Sequence, residues 1–296
     1  MNKIQFLTVL LTLLLASAVM AAPVTVTDST GQTLILKASP TRIISLSPHA
    51  TELMFAAGGG DRLVATSSFS DYPERAKTLP VVGSYNLINM EAIVAFKPDL
   101  VLVWPSGNPR DITERLNRFG IPVYHSELHT IEDIAAALRI FGKLADSEKG
   151  AQAAEQLLQG WQALARQYTG KAKVATFLEV SDNPLMTLNG EHMVSQLFKV
   201  CGAENIFADA PVLVPRISRE EVVARQPALI VEGGHGDRVG SDALYREWKA
   251  FHTIPAVRNK TIYSLDGSLL VRPTPRMLEG AKKFCEKTDL VRALMR

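Results

Sequence analysis

The chain has 296 residues, with 32 Lys and Arg against 30 Asp and Glu, a formal charge of +2, and 47% hydrophobic side chains. That balance lacks the basic surplus of a nucleic-acid binder, and the length is ample for two lobes with buried cores. Beyond the N-terminus no apolar stretch approaches the ~20 residues that cross a bilayer, so no transmembrane helix is expected.

Lys3 opens the chain with a positive charge, and residues 6–16 form an apolar run of signal-peptide length, too short for a stable membrane span. Val19 and Ala21 are small residues three and one places ahead of a cut after Ala21. No Cys stands near that cut to carry a lipid, so residues 1–21 read as a signal peptide that releases a soluble protein into the periplasm.

Short β-branched runs bounded by Pro or Gly follow at 42–47, 62–68, 100–104 and 123–126, alternating with helical patterns at 50–58, 89–97, 112–119 and 131–144. Residues 147–168 then carry an apolar stripe through Ala154, Leu157, Leu158, Trp161 and Leu164, with no Pro. That predicts one amphipathic helix of ~33 Å, either a spacer between lobes or a core helix. Strand-like runs resume at 174–180, 229–232 and 262–265, and alternation of this kind argues for parallel sheets covered by helices.

An internal repeat favours the spacer. Asn89-Met-Glu-Ala-Ile-Val-Ala-Phe-Lys-Pro98 precedes one apolar strand, and Ser218-Arg-Glu-Glu-Val-Val-Ala-Arg-Gln-Pro227 precedes another. Each block opens on a capping residue, carries an acid two places on (Glu91, Glu220), and ends at a Pro seven residues later. Two copies flanking the long helix imply two lobes of like construction. The expected division is residues 22–145, an N-terminal α/β lobe; 146–169, the connecting helix; and 170–296, a C-terminal α/β lobe.

Catalytic signatures are absent: there is no nucleophile elbow and no P-loop, so no enzyme is expected. Gly234-His-Gly-Asp-Arg-Val239 has Val239 where a dinucleotide fingerprint needs Gly, and reads as a flexible loop. His125 and His129 would share a metal only on a helix, and no further ligand type stands at useful spacing. No cofactor or resident metal is therefore predicted. His49 follows a strand, where open α/β sheets bind ligands, but reads first as a solvent-exposed helix-entry residue. Phe69, Tyr72, Tyr85 and Trp104 all follow strand ends and together would wall a flat or bulky apolar ligand. Arg272, in a Pro-stiffened loop, offers a cation to the other side. Cys201 and Cys285 read as a disulfide in an oxidising compartment, closing a loop of about 84 residues worth about 4 kcal/mol. Free thiols or a metal pair are the alternatives.

Ile43-Ile-Ser-Leu-Ser-Pro-His-Ala-Thr-Glu-Leu-Met-Phe-Ala-Ala-Gly58, Ser67-Ser-Phe-Ser-Asp-Tyr-Pro73, the block 89–104, Val200-Cys-Gly-Ala-Glu-Asn-Ile-Phe207 and Pro273-Thr-Pro-Arg276 resemble the periplasmic cobalamin-binding proteins of vitamin B12 importers. The resemblance covers nearly the whole chain after the signal peptide. It implies the class III periplasmic binding-protein fold: two Rossmann-like α/β lobes with parallel sheets, joined by a single long rigid helix. It implies no enzyme, but a carrier, monomeric when free, that holds cobalamin or a related tetrapyrrole and delivers it to a two-fold ABC permease in the inner membrane. Glu91 and Glu220 fall on the positions that dock the permease, and the family's disulfide falls on Cys201 and Cys285. Ligand-contact positions fall on Tyr85, Trp104, Phe69 and Arg272. Met186 and Val214 stand where the family has aromatic residues, and the loop Gly267-Ser-Leu-Leu270 lacks the family's aromatic pair, so the C-terminal wall is expected to be aliphatic. Haem or a ferric siderophore in the same role is the alternative; haem would need an axial ligand, for which Tyr85 and His49 are the candidates.

Overall fold

The computed structural model describes residues 22–234 and 241–295. The expected signal peptide and most of the glycine-containing segment 234–239 lie outside the described residues. A hairpin opens the chain, with β1 (Val24–Thr27) antiparallel to β2 (Thr33–Leu36). The N-terminal lobe continues with β3 (Ile43–Ser45), α1 (Pro48–Ala56), β4 (Leu63–Thr66), α2 (Met90–Ala95), β5 (Leu100–Val103), α3 (Ile112–Arg118), β6 (Val123–His125) and α4 (Ile131–Ala145). After α5 (Lys149–Tyr168), the C-terminal lobe has β7 (Val174–Glu179), a small hairpin of β8 (Ser181–Asp182) and β9 (Leu185–Met186), α6 (Met193–Val200) and β10 (Ala203–Asn205). It ends with α7 (Arg219–Arg225), β11 (Leu229–Gly234), α8 (Ser241–Trp248), α9 (Pro255–Arg258), β12 (Ile262–Asp266), α10 (Gly267–Leu270) and α11 (Met277–Leu294).

The two sheets have the same topology. The order is β4-β3-β5-β6 in one lobe and β10-β7-β11-β12 in the other, with every pairing parallel. In each sheet the lobe's second strand lies outermost beside the first, and the third and fourth follow on its other side. Leu100, Val101, Leu102 and Val103 are all buried, as expected of a strand covered by helices on both faces.

The sequence repeat falls on matching places in this plan, because α2 and α7 each lie between the second and third strands of their lobe. The Asn89 side chain accepts from the Ala92 amide at 3.0 Å, and the Ser218 hydroxyl accepts from the Glu221 amide at 3.2 Å. Both helices stop at a residue turned left-handed, Lys97 and Gln226, each at φ 47° and each followed by proline.

Helix α5, at 20 residues, spans about 30 Å. Gly142 and Gly150 let α4 and α5 touch, since a side chain on Gly150 would strike the Leu138 carbonyl. One hydrophobic cluster runs from Ile43 and Leu53 through Ala154 and Leu157 of α5 to Phe198 and Phe284. The joining helix is thus packed into both lobes rather than suspended between them. Cys201 and Cys285 form the disulfide, linking the end of α6 to α11 beside the stacked rings of Phe198 and Phe284, 4.2 Å apart. Among the described residues no helix is long and apolar enough to cross a membrane.

Two expectations need correction. The segment Gly267-Ser-Leu-Leu270 is a helix and not a loop, capped by Asp266, and its Leu269 and Leu270 are buried in the core. His49 is not exposed: it retains 4% of its accessible surface, because its ring lies edge-on against Trp104, just past β5, and bonds to the Ser126 backbone, just past β6.

A candidate ligand cleft between the lobes

The strand order reverses between β3 and β5, and open α/β sheets place ligands beyond the carboxyl ends of strands at such a switch point. There β3 leads to His49, β5 to Trp104 and Ser106, and β6 to Glu127, Leu128 and His129. The opposite wall comes from the start of α6, with Glu191, His192, Met193 and Val194, and from Leu213, Val271 and Pro273. Together they enclose about 310 Å3. The 520 Å3 hollow beside Lys171 and Arg292 is larger, but both cations there are already paired with Asp289 and no aromatic ring lines it.

Trp104 is the best-held side chain of the cleft. Its indole nitrogen donates to Glu127 Oε1 at 3.0 Å, and the His49 ring meets it edge-on with centroids 5.5 Å apart. Its backbone amide donates to Asn108 Oδ1 at 2.8 Å, while the Asn108 amide group donates to the carbonyl of Tyr85 at 2.8 Å and of Leu46 at 3.0 Å. Asn108 thereby brings the Trp104 and Tyr85 segments together, and the two rings lie 6.4 Å apart. Burial lowers the His49 pKa to about 4, outweighing its bond to the Ser126 backbone and the nearby Glu127 charge, so the imidazole is neutral at ordinary pH.

Phe69 is 70% exposed and has a left-handed backbone, φ 66°, an unusual state for a bulky residue. Its carbonyl accepts from Arg272 Nη2 at 3.3 Å, and Arg272 Nη1 donates to Asp71 at 2.7 Å and lies 3.6 Å from Glu52. Arg272 therefore ties the C-terminal lobe to the N-terminal lobe rather than standing free. Tyr72 belongs to the same seam, its ring 3.8 Å beneath the Arg276 guanidinium, and so is spent on lobe contact. Phe69, Tyr85, Leu213, Val214 and Val271 remain unusually exposed for apolar residues, and such exposure marks binding surfaces. Met186 pairs within its small hairpin and does not line the cavity. His125 is not a metal ligand with His129, because its Nδ1 is bound to Asp28 at 2.6 Å and its Nε2 to Thr113 at 2.9 Å. Glu91 and Glu220 are exposed at the first turns of α2 and α7, and among the described residues neither carboxylate is in an ion pair.

Residues 43–269 match the family model described as periplasmic binding protein. The chain belongs to the periplasmic binding protein family. A vitamin B12-binding protein of Vibrio parahaemolyticus is 39% identical over 252 residues, covering 85% of this chain and 90% of that one. The crystal structure of the periplasmic vitamin B12 binding protein of Vibrio cholerae superposes with a TM-score of 0.77 at 37% identity, over 86% of this chain and 98% of that one. An apo periplasmic haem-binding protein from Roseiflexus gives a TM-score of 0.71 at 26% identity, over 83% and 97%. The family match begins after the β1–β2 hairpin.

Within this family fold the sequence picked out Trp104, which lines the cavity, and Tyr85, whose ring neighbours it, but missed Glu127, Asn108, Glu191 and His192. Glu127 was findable: it lies two residues past β6, on the sheet edge already chosen for Trp104. Asn108 and His192 had no such signal, since their places depend on loop folds that no periodic pattern encodes.

Proposed function

We propose that the chain is a periplasmic substrate-binding protein of an ABC importer that holds cobalamin or a related corrinoid between its lobes. The observation that carries this reading is Trp104, with the Tyr85 ring beside it at the switch point, sharing a cavity with the aliphatic Leu213 and Val271 of the other lobe. A broad ring system stacks on the aromatic side and slides against the aliphatic one with no covalent chemistry. The enclosed 310 Å3 takes only part of such a ligand, and the exposed rim residues meet the rest. Relatives named as vitamin B12-binding proteins support the choice of ligand. Phe69 contributes at the rim, and Arg272 meets polar substituents through whatever donors Asp71, Glu52 and the Phe69 carbonyl leave free. Glu91 and Glu220, exposed at matching places on the two lobes, dock the loaded carrier on a two-fold permease.

Haem in the same cleft would need an axial side chain. His49 is buried edge-on against Trp104, and His192 Nδ1 accepts from the Val194 amide at 3.2 Å, which places the proton of its neutral form on Nε2 and makes that atom a donor. Tyr85 and His129 are the remaining candidates. The decisive experiment is calorimetric titration of the purified protein with cyanocobalamin and with haemin. One-to-one binding of cyanocobalamin, weakened by Trp104→Ala, is the expected result. Binding of haemin alone, with a Soret shift abolished in a Tyr85→Phe or His129→Ala variant, would overturn it.

A further inference from the structure

We propose that Glu127 is a positioning residue that sets the plane of the Trp104 ring for ligand stacking, and that the N-terminal hairpin serves the cleft by holding Glu127 in place. The inference deepens the corrinoid reading and rests on it for the choice of ligand.

An indole at a cleft edge has two side-chain torsions to lose before it can stack. Here the chain removes them one contact at a time. The turn after Trp104 closes through the amides of Gly107 and Asn108, which both donate to the Trp104 carbonyl at 3.2 and 2.8 Å. Gly107 lies directly against the six-membered ring, and a side-chain carbon there would collide with it. His49 closes an edge. Glu127 then fixes the remaining rotation through the indole N–H. A carboxylate is well suited to this, since it accepts from Trp104 Nε1, from the Ser106 amide at 2.9 Å and from the Ser106 hydroxyl at 3.1 Å together.

Glu127 is itself anchored from outside the sheet. Its backbone amide donates to the Ser29 hydroxyl at 3.0 Å, and that hydroxyl donates to the His125 carbonyl at 2.9 Å. The neighbouring Asp28 grips His125 Nδ1 at 2.6 Å. Asp28 is in turn held by Thr30 and by the Gln32 amide within the hairpin turn. Asp28 and Ser29 lie between β1 and β2, so the turn of the hairpin reaches Trp104 through one backbone segment, residues 125–127. The hairpin covers the edge of the lobe and also stiffens the aromatic wall.

The test uses Glu127→Leu, Glu127→Gln, Ser29→Ala and Trp104→Phe in the full chain. Calorimetry with cyanocobalamin and the indole N–H resonances are the readouts; the Trp104 resonance is the one missing in Trp104→Phe, with those of Trp161 and Trp248 unchanged. Glu127→Leu is expected to weaken binding about tenfold, to shift the Trp104 resonance and to speed its solvent exchange. Glu127→Gln, which keeps an acceptor, restores most of the affinity. The loss vanishes in a Trp104→Phe background, where no N–H remains to be held. Ser29→Ala, outside the cavity, moves both readouts in the same direction by less, and carries the test alone should Glu127→Leu fail to fold. An unchanged affinity, or an equal loss in the Trp104→Phe background, overturns the proposal. Should the wild type ignore cyanocobalamin, the ligand reading fails by itself, and the resonance decides: unmoved in Glu127→Leu, it overturns the positioning role as well.

Discussion

Glu52 on α1 of the N-terminal lobe accepts two hydrogen bonds from Arg276 at the start of α11 in the C-terminal lobe, at 2.8 Å to Oε1 and 2.7 Å to Oε2. The Glu52 side chain is 3% exposed and that of Arg276 17%. Glu52 stands one helical turn beyond His49, so a single face of α1 carries both a cleft residue and the lobe-to-lobe clamp. The second guanidinium, on Arg272, and the Tyr72 ring complete the seam. A hinge that must open widely does not bury a carboxylate between two arginines from its partner lobe. The seam and the packed α5 together argue for a carrier whose lobes move little.

Breaking the clamp from one side should therefore be costly. Arg276→Met removes both bonds and leaves Glu52 buried with only the longer Arg272 contact of 3.6 Å, a partly compensated charge whose cost is at most about 3–5 kcal/mol. The expected outcome is a lower urea midpoint by that amount. Glu52→Leu combined with Arg276→Met should recover most of the loss, because a well-packed apolar pair replaces a buried ion pair at little cost. A double variant as unstable as the single one would show that the seam acts through shape rather than charge.

The twin acids make a prediction of a different kind. Glu91→Lys with Glu220→Lys is expected to abolish delivery of bound ligand to the permease in vesicles while leaving ligand affinity unchanged. Each carboxylate also lies near a helix N-terminus, where it contributes about 0.3–1 kcal/mol, so a small drop in melting temperature accompanies the change. A fall in ligand affinity would mean that these acids serve the cleft and not the membrane partner.

Much of this fold was legible because it repeats. The blocks at 89–98 and 218–227 gave the matched helices α2 and α7, and the apolar stripe of 147–168 gave α5, since periodicity survives translation into structure. His49 was misread because its burial depends on Trp104 and Ser126, which are distant in sequence. The β1–β2 hairpin was overlooked because Val24 and Val26 alternate with Thr25 and Thr27, so it lacks the continuous apolar runs by which the sheet strands were recognised. Tyr72 carries the right chemistry for a ligand, but the seam claims it together with most of the donors of Arg272, and only the position of the other lobe decides between those uses.

The disulfide should matter for stability and not for binding. It closes a loop of 84 residues, and neither cysteine lines the cleft. Replacing both Cys201 and Cys285 by Ala is expected to cost about 4 kcal/mol, read as a lower denaturation midpoint that equals that of the reduced wild type. Ligand affinity measured well below the new midpoint should be unchanged. A weakened affinity would mean that the α6–α11 link sets the position of Glu191 and His192.

Glu179 and His49 pull the pH dependence in opposite directions. Burial chiefly raises the Glu179 pKa to about 7, aided by Glu247 and Glu232, although Trp248 donates to its carboxylate at 2.8 Å. The folded state then holds a proton between pH 7 and about 4.5 that the unfolded chain does not, so this group adds stability as pH falls through that window. His49 stays neutral down to about 4, whereas the unfolded imidazole protonates near 6.5, so stability is lost as pH falls from 6.5 to 4. Wild-type stability should rise slightly on acidification from pH 8 to 6.5 and then flatten as the two effects offset. Glu179→Gln keeps an acceptor for Trp248 and removes the charge. It is expected to be more stable than wild type at pH 8, by at most about 3 kcal/mol, and to match it near pH 4.5. With that proton gone, the loss from His49 remains below pH 6.5, joined by that from His192, whose pKa burial also lowers. Urea midpoints measured across pH 4.5–8 for both proteins check the assignment, and a constant difference at every pH would remove Glu179 from it.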